Sequence, residues 1–279
     1  MTSLFNSPDL KNALDWLGTQ HGAMLELVQD LCNQNSGTFH AQGVAAVVDR
    51  LLDEFKGAGK YPPLGDWVEQ QPTPAAEILN DQGHIDAFPL GPTLRAEARP
   101  NVAHQVFLCI HTDTVYDLAH PFQKCQFLTN GHLNGPGVID AKGGLVVLLF
   151  ALRAFERTSL ASRLGWKVVL NPDEEIGSLG SHSILKSVAQ QCRFGLLFEP
   201  VMPDGAMVSS RKGSGNFTLV CRGKSAHAGR NFAAGRNAIV HLARCVTELD
   251  ALNHTVPGDS TVNIGRLHGG GAVNVVPDF

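Results

Sequence analysis

The run Val106-Phe107-Leu108-Cys109-Ile110, closed by His111-Thr112-Asp113, decides how the rest of the chain is read. Two further runs of the same kind follow. Lys167-Val168-Val169-Leu170 leads into Asn171-Pro172-Asp173-Glu174-Glu175, and Gly195-Leu196-Leu197-Phe198 leads into Glu199-Pro200. Stretches of helical character, about 143–157 and 179–191, separate them. Strands that are apolar throughout and alternate with helices predict an α/β fold, a mostly parallel sheet with helices on both faces. The carboxyl ends of such strands converge on one crevice, where ligands bind. Here those ends carry His111, Glu175 and Glu199, and the Gly-rich turn Gly135-Pro-Gly-Val-Ile-Asp140 adds Asp140. One imidazole among several carboxylates suits a borderline cation such as zinc, and a carboxylate can span two ions.

Upstream, Ser7-Pro8 reads as an N-cap with proline at the first helical position, and Leu10, Leu14 and Leu17 follow at helical spacing. Val44, Val47, Val48, Leu51, Leu52 and Phe55 mark a second helix, which Gly57 and Gly59 stop. Residues 61–104 are Pro-rich and irregular, with short strands expected but not placed. Downstream of Pro203-Asp-Gly205 the texture changes, since residues 206–224 alternate, with Phe217, Leu219 and Cys221 on one face. That alternation predicts an antiparallel sheet with one exposed face. A helix near 233–250 and short strands at 260–267 and 272–276 complete a β-α-β-β order. The expected domains are therefore 1–206 and 207–279, the second a small α+β unit.

Composition removes several classes of function. The net charge of −4, with no basic run, argues against a nucleic-acid partner. The opening Met1-Thr-Ser-Leu-Phe-Asn has neither a basic region nor an apolar core, and no run approaches the ~18 apolar residues of a membrane helix. The expectation is a cytoplasmic protein with no membrane partner. The six cysteines form no C-x-x-C pair and signal neither a zinc knuckle nor a disulfide framework.

Five motifs in order carry a family resemblance: His111-Thr-Asp113, Gly135-Pro-Gly-Val-Ile-Asp140-Ala-Lys-Gly-Gly144, Asp173-Glu174-Glu175-Ile-Gly-Ser-Leu-Gly-Ser181, Phe198-Glu199-Pro200 and Ser225-Ala-His227-Ala-Gly229. Together they resemble the dinuclear zinc amidohydrolases, the family of aminoacylase, acetylornithine deacetylase, succinyl-diaminopimelate desuccinylase and glutamate carboxypeptidase. Gly-Pro-Gly before Asp140 and Lys-Gly-Gly after it look most like the glutamate carboxypeptidase branch.

The resemblance implies a zinc-exopeptidase-like sheet, a ferredoxin-like lid or dimerisation domain and two zinc ions, with cobalt or manganese as substitutes. It implies that His111 and Glu199 ligate one ion, Glu175 the other, and Asp140 both. Asp113 would fix the imidazole tautomer and Glu174 would be the general base. His227 would steady the oxyanion, commonly across a homodimer interface, and Asn274 would contact substrate, an N-acyl amino acid or short peptide. The family also uses a second histidine ligand from a carboxyl-terminal segment. This sequence ends at Phe279 before one, which predicts the first two thirds of a family member.

Blander readings exist for each residue. A histidine at a strand end is by itself more often structural, Asp140 fits a turn, Glu174-Glu175 fits a helix N-terminus and Glu199 could simply end a strand. Their order in five motifs outweighs these separately. The rival from another class is a non-catalytic relative that binds peptide or dimerises, and a third reading is a one-metal enzyme of the same fold. Lys142-Gly143-Gly144 reads as a turn and helix start, because no phosphate-loop spacing surrounds it.

Overall fold

The structure is a computed structural model that describes residues 7–57 and 60–279. The Met1–Asn6 opening and the helix stop expected at Gly59 lie outside the described residues. The chain divides into two compact units, one built from residues up to Ala76 with Phe88–Ser210, the other from Glu77–Ala87 with Arg211–Phe279.

The first unit opens with three helices, α1 (Pro8–Gly18), α2 (His21–Cys32) and α3 (Ala41–Lys56). Pro8 does begin α1, but Ser7 makes no side-chain cap bond. Leu14 faces solvent because the inward stripe runs through Ala13, Trp16 and Leu17 instead. In α3 every expected position except Leu52 is fully buried, as a stripe at i, i+3, i+4 and i+7 requires when one face meets a sheet.

Strands β1 (Trp67–Gln71), β2 (Ala76–Leu79), β3 (Ile85–Phe88), β4 (Thr93–Ala98) and β5 (Gln105–His111) follow, then the short β6 (Gln126–Phe127) and β7 (Leu133–Asn134). After them come α4 (Lys142–Phe155), β8 (Gly165–Asn171), α5 (His182–Ala189) and β9 (Phe194–Leu197). The main sheet has the order β1-β4-β8-β5-β9. β5 runs parallel to both β8 and β9, which is the half the apolar runs predict. The other half, β8 to β4 to β1, is antiparallel. Of its strands, β1 and β4 lie in the Pro-rich stretch, where Arg95, Glu97 and Glu69 interrupt the apolar pattern.

Even-numbered residues of β4, β5 and β8 (Leu94, Ala96, Leu108, Ile110, Val168, Leu170) join one core with α2, α3 and α4. β8 also meets α5. Period-two alternation of side chains explains the even-numbered set, and cover on both faces explains why all seven residues of β8 are buried.

In the second unit β10 (Ala226–His227) pairs antiparallel with β11 (Val275–Val276), and α6 (Ala238–Ala251) lies between them in sequence. Asn237 caps α6 by accepting a hydrogen bond from the Val240 amide at 3.1 Å. The segment 77–87 joins this unit through Arg222 Nη2, which donates to the Gly83 carbonyl, and through an Arg266–Asp81 ion pair, both at 2.8 Å.

The strands expected over 206–224 and 260–267 do not form, and 272–276 contracts to Val275–Val276. An alternating strand commits only one face and needs a ladder partner. None of the described strands lies beside these segments, and Phe217 is 95% exposed.

Candidate metal centre

Register brings the site together. His111 lies opposite Asn171 in the β5–β8 ladder, and Cys109 lies opposite Leu197 in the β5–β9 ladder. Two bonds extend the ladders past the strand ends, from the Thr112 amide to Asn171 O at 2.8 Å and from the Phe198 amide to Cys109 O at 3.0 Å. The side chains that follow the three strands, His111, Glu174-Glu175 and Glu199, therefore emerge along one edge of the sheet.

The Asp140 turn is brought to that edge by close backbone contact. A Cβ on Gly143 would stand 2.3 Å from Val138 O, and one on Gly144 only 2.1 Å from Phe198 O. Only glycine lets the start of α4 press this closely on the residue before Glu199. Lys142 anchors the same turn from below. Its buried Nζ donates to Leu31 O at 3.0 Å and Gln34 O at 2.7 Å, at the end of α2. Burial lowers its pKa to about 8, against the opposing influence of Cys32 and Cys125. Asp140 itself is joined to Ala141 by a cis peptide bond.

Among the described residues, His111, Asp140 and Glu199 are the group able to hold a metal ion, their ligand atoms all within 4.8 Å of one another. His111 Nε2 stands 3.0 Å from Asp140 Oδ1 and 3.8 Å from Glu199 Oε2. The other ring nitrogen, Nδ1, lies 3.0 Å from the Asp113 carbonyl oxygen and 3.2 Å from its Oδ1. A proton on Nδ1 is thus held by Asp113, leaving the Nε2 lone pair for a cation.

Burial by itself would lower the His111 pKa, but its bonding to Asp113, the charges of Asp113 and Glu199 and its bond to Asp140 raise it to about 10. The surroundings thus strongly favour a positive charge at this point. One imidazole and two carboxylates in so acidic a setting fit a zinc-type donor set.

Glu174 and Glu175 follow β8 in a short 3-10 turn, Glu174–Ile176. Glu174 is exposed and Glu175 half-buried. Glu175 does not belong to the three-residue group, but its carboxyl is pushed up by burial and then by Asp140, Asp113 and Glu174, with His111 opposing. It therefore shares the same electrostatic neighbourhood.

His227 and Asn274 lie in the second unit. They are brought together there, the Ala228 amide donating to Asn274 O at 2.9 Å, while His227 Nδ1 accepts from the Gly229 and Arg230 amides at 3.1 Å.

Three residues that shape the site were not singled out from the sequence. Lys142 was read only as part of a turn. Asp173 is fully buried and accepts from the Gly180 and Ser181 amides and the Ser181 hydroxyl, which closes the loop after Glu175. Thr38 donates to Asp113. Their sequence signals, Thr38 and Lys142 beside a glycine and Asp173 after a proline, by themselves read as turns.

Comparison with known proteins gives this arrangement a lineage. The family model "Peptidase family M20/M25/M40" matches residues 107–213, which hold His111, Asp113, Asp140, Glu174, Glu175 and Glu199. The model "Peptidase dimerisation domain" matches residues 209–279. A protein of Aspergillus terreus named "Probable carboxypeptidase" is 31% identical over 229 residues, which are 75% of this chain and 49% of that protein. Carboxypeptidase G2 of a Pseudomonas species is 27% identical over 226 residues, 80% of this chain and 50% of that protein. The chain thus spans about half the length of the curated relatives it matches. A tripeptidase structure from Staphylococcus aureus shares the fold with a TM-score of 0.54 at 21% identity, covering 91% of this chain and 63% of that one. From the two family models, which together match residues 107–279, this chain belongs to the M20 family of peptidases.

Proposed function

We propose that the protein is a zinc-dependent hydrolase that cleaves an amide or peptide bond beside a free carboxylate, as a carboxypeptidase or N-acyl-amino-acid deacylase does. The observation that carries this reading is the convergence of His111, Asp140 and Glu199 within 4.8 Å at the sheet edge. His111, Glu199 and Asp140 would hold one ion, and Asp140 with Glu175 a second. Bound zinc, or cobalt or manganese in its place, acidifies water and polarises a carbonyl.

The chain's own residues do the rest. Asp113 keeps the Nδ1 proton in place so that Nε2 faces the site. Glu174, exposed beside the metal-facing Glu175, takes the proton of the attacking water and returns it to the leaving amine. His227 steadies the negative charge that develops on the carbonyl oxygen, and Asn274 contacts the substrate. In this reading residues 1–206 are catalytic and 207–279 form a lid and homodimer surface. The match of residues 209–279 to a dimerisation domain supports that assignment.

Metal content and hydrolysis of N-acyl-glutamate and simple dipeptides test the proposal, with Glu174→Gln beside the unaltered chain. The variant should keep its metal and lose about 10²- to 10⁴-fold in rate. A variant as fast as the parent removes Glu174 as the base. A parent chain that takes up no zinc removes the metal reading altogether.

A further inference from the structure

Asp113 is fully buried, and its two oxygens face four donors. Oδ1 meets His111 Nδ1 at 3.2 Å and the Glu174 amide at 3.1 Å. Oδ2 meets the Thr38 hydroxyl at 2.7 Å and the Glu175 amide at 3.3 Å. An ionised carboxylate has about four lone-pair sites, so its acceptor capacity is filled. The shortest of the four contacts comes from Thr38, a side chain with no other place in the site.

Thr38 is itself held in place. The Thr38 amide donates to Thr114 O at 3.2 Å, and the Thr114 amide donates to Ser36 O at 2.9 Å, so Gly37 and Thr114 form a short parallel bridge. Gly37 permits the approach, since a Cβ there would stand 2.5 Å from Tyr116 O. Asn35 straps the same segment, donating from Nδ2 to Tyr116 O at 3.1 Å and to Gln123 Oε1 at 2.9 Å.

The geometry points to Thr38 as a positioning residue whose hydroxyl fixes Asp113 so that one carboxylate aligns both the His111 ligand and the Glu174-Glu175 turn. The inference rests on the metal-centre reading above. With the hydroxyl removed, Oδ2 loses its shortest donor in a buried place where water does not replace it. The carboxylate then shifts toward its remaining donors, and the imidazole and the glutamate turn lose their common reference.

The test uses the full chain with Thr38→Val, which keeps the shape and removes the donor, and Thr38→Ser, which keeps the donor. Zinc binding is measured by calorimetry, and solvent exchange of the Glu174 and Glu175 amides is measured by NMR without metal. Thr38→Val should weaken zinc binding about tenfold or more, as loss of the partners behind a metal ligand does. It should also speed exchange at both amides, while Thr38→Ser stays within about threefold of the parent in both measurements.

Zinc binding by Thr38→Val equal to the parent's overturns the inference and leaves the metal reading standing. A parent that binds no zinc overturns the metal reading, and unchanged amide exchange in Thr38→Val then overturns the coupling as well. If Thr38→Val fails to fold, a Thr38→Ser variant that loses tenfold in affinity overturns the role of the hydroxyl.

Discussion

The strand β5 and the segment 206–224 both carry apolar side chains in a strand-like pattern, yet one is sealed between neighbours and the other is open to solvent. β5 has β8 on one side and β9 on the other, with α4 among the elements packed against it. In 206–224, Met207, Val208, Phe217 and Leu219 are all exposed, and none of the described strands pairs with them. The continuous apolar run of β5 is buried or half-buried throughout, whereas the equally apolar β9 ends the described sheet with all four of its residues exposed, so such a run is sealed only where it has a strand on each side. An alternating run needs only one covered face and depends on which neighbour is present. The contrast locates the candidate site too, since His111, which belongs to the group able to hold a metal ion, ends the sealed strand, where the register of three strands is fixed.

The contrast can be broken most severely by unpairing a charge inside the sealed unit. Arg153 is only 2% exposed and lies beside Glu54, with its guanidinium 3.9 Å from the centre of the Tyr61 ring. Glu54→Ala should cost about 3–5 kcal/mol in chemical denaturation, because it leaves a buried cation alone. A loss under about 1 kcal/mol would show that water reaches Arg153.

The same pair sets a pH dependence. Burial tends to raise the Glu54 carboxyl, but Arg153 and Arg50 together hold it below its ordinary value of 4.5. Its stabilising contribution is present above pH 4.5 and is lost as pH falls through the lower folded value. Denaturation midpoints of parent and variant should therefore converge under acid.

A slightly smaller effect comes from emptying the sealed strand, since Ile110 is buried among the core residues. Ile110→Ala should cost about 2–5 kcal/mol, read from urea unfolding. The smallest effect belongs to the open segment, where Phe217→Ala should change stability by no more than about 0.5 kcal/mol. A loss of 2 kcal/mol or more there would mean that Phe217 is covered in solution and would narrow the contrast between the two regions.

What the sequence discloses follows the same division. β5, β8, β9 and the helices between them are legible because each carries its own periodicity, and α6 is legible for the same reason. α2 also had a signal, Met24, Leu27, Val28 and Leu31 at helical spacing, but its start at His21-Gly22 has no cap to announce it. β1 and β4 are not legible. Their apolar positions are few, and β4 finds its place against β8, with Glu97 meeting Lys167 far along the chain. Of the candidate site, the proposed ligands stand in motifs, whereas Lys142, Asp173 and Thr38 acquire meaning only from partners that folding brings to them. Lys142 rests on carbonyls of residues 31 and 34, and Thr38 on a carboxylate at 113. No local pattern encodes those meetings.

The filled carboxylate of Asp113 also bears on the order in which the molecule acquires its parts. Besides His111, its donors are 75 residues upstream at Thr38 and 61 and 62 residues downstream at Glu174 and Glu175. Closing loops of that length takes place only once the intervening strands have found their partners, which makes such contacts late arrivals during folding. Under the metal reading proposed above, half-built chains would present His111 without its brace and would hold an ion weakly. Tight retention of an ion would then mark the finished molecule, and a chelator challenge during refolding would time the moment of completion.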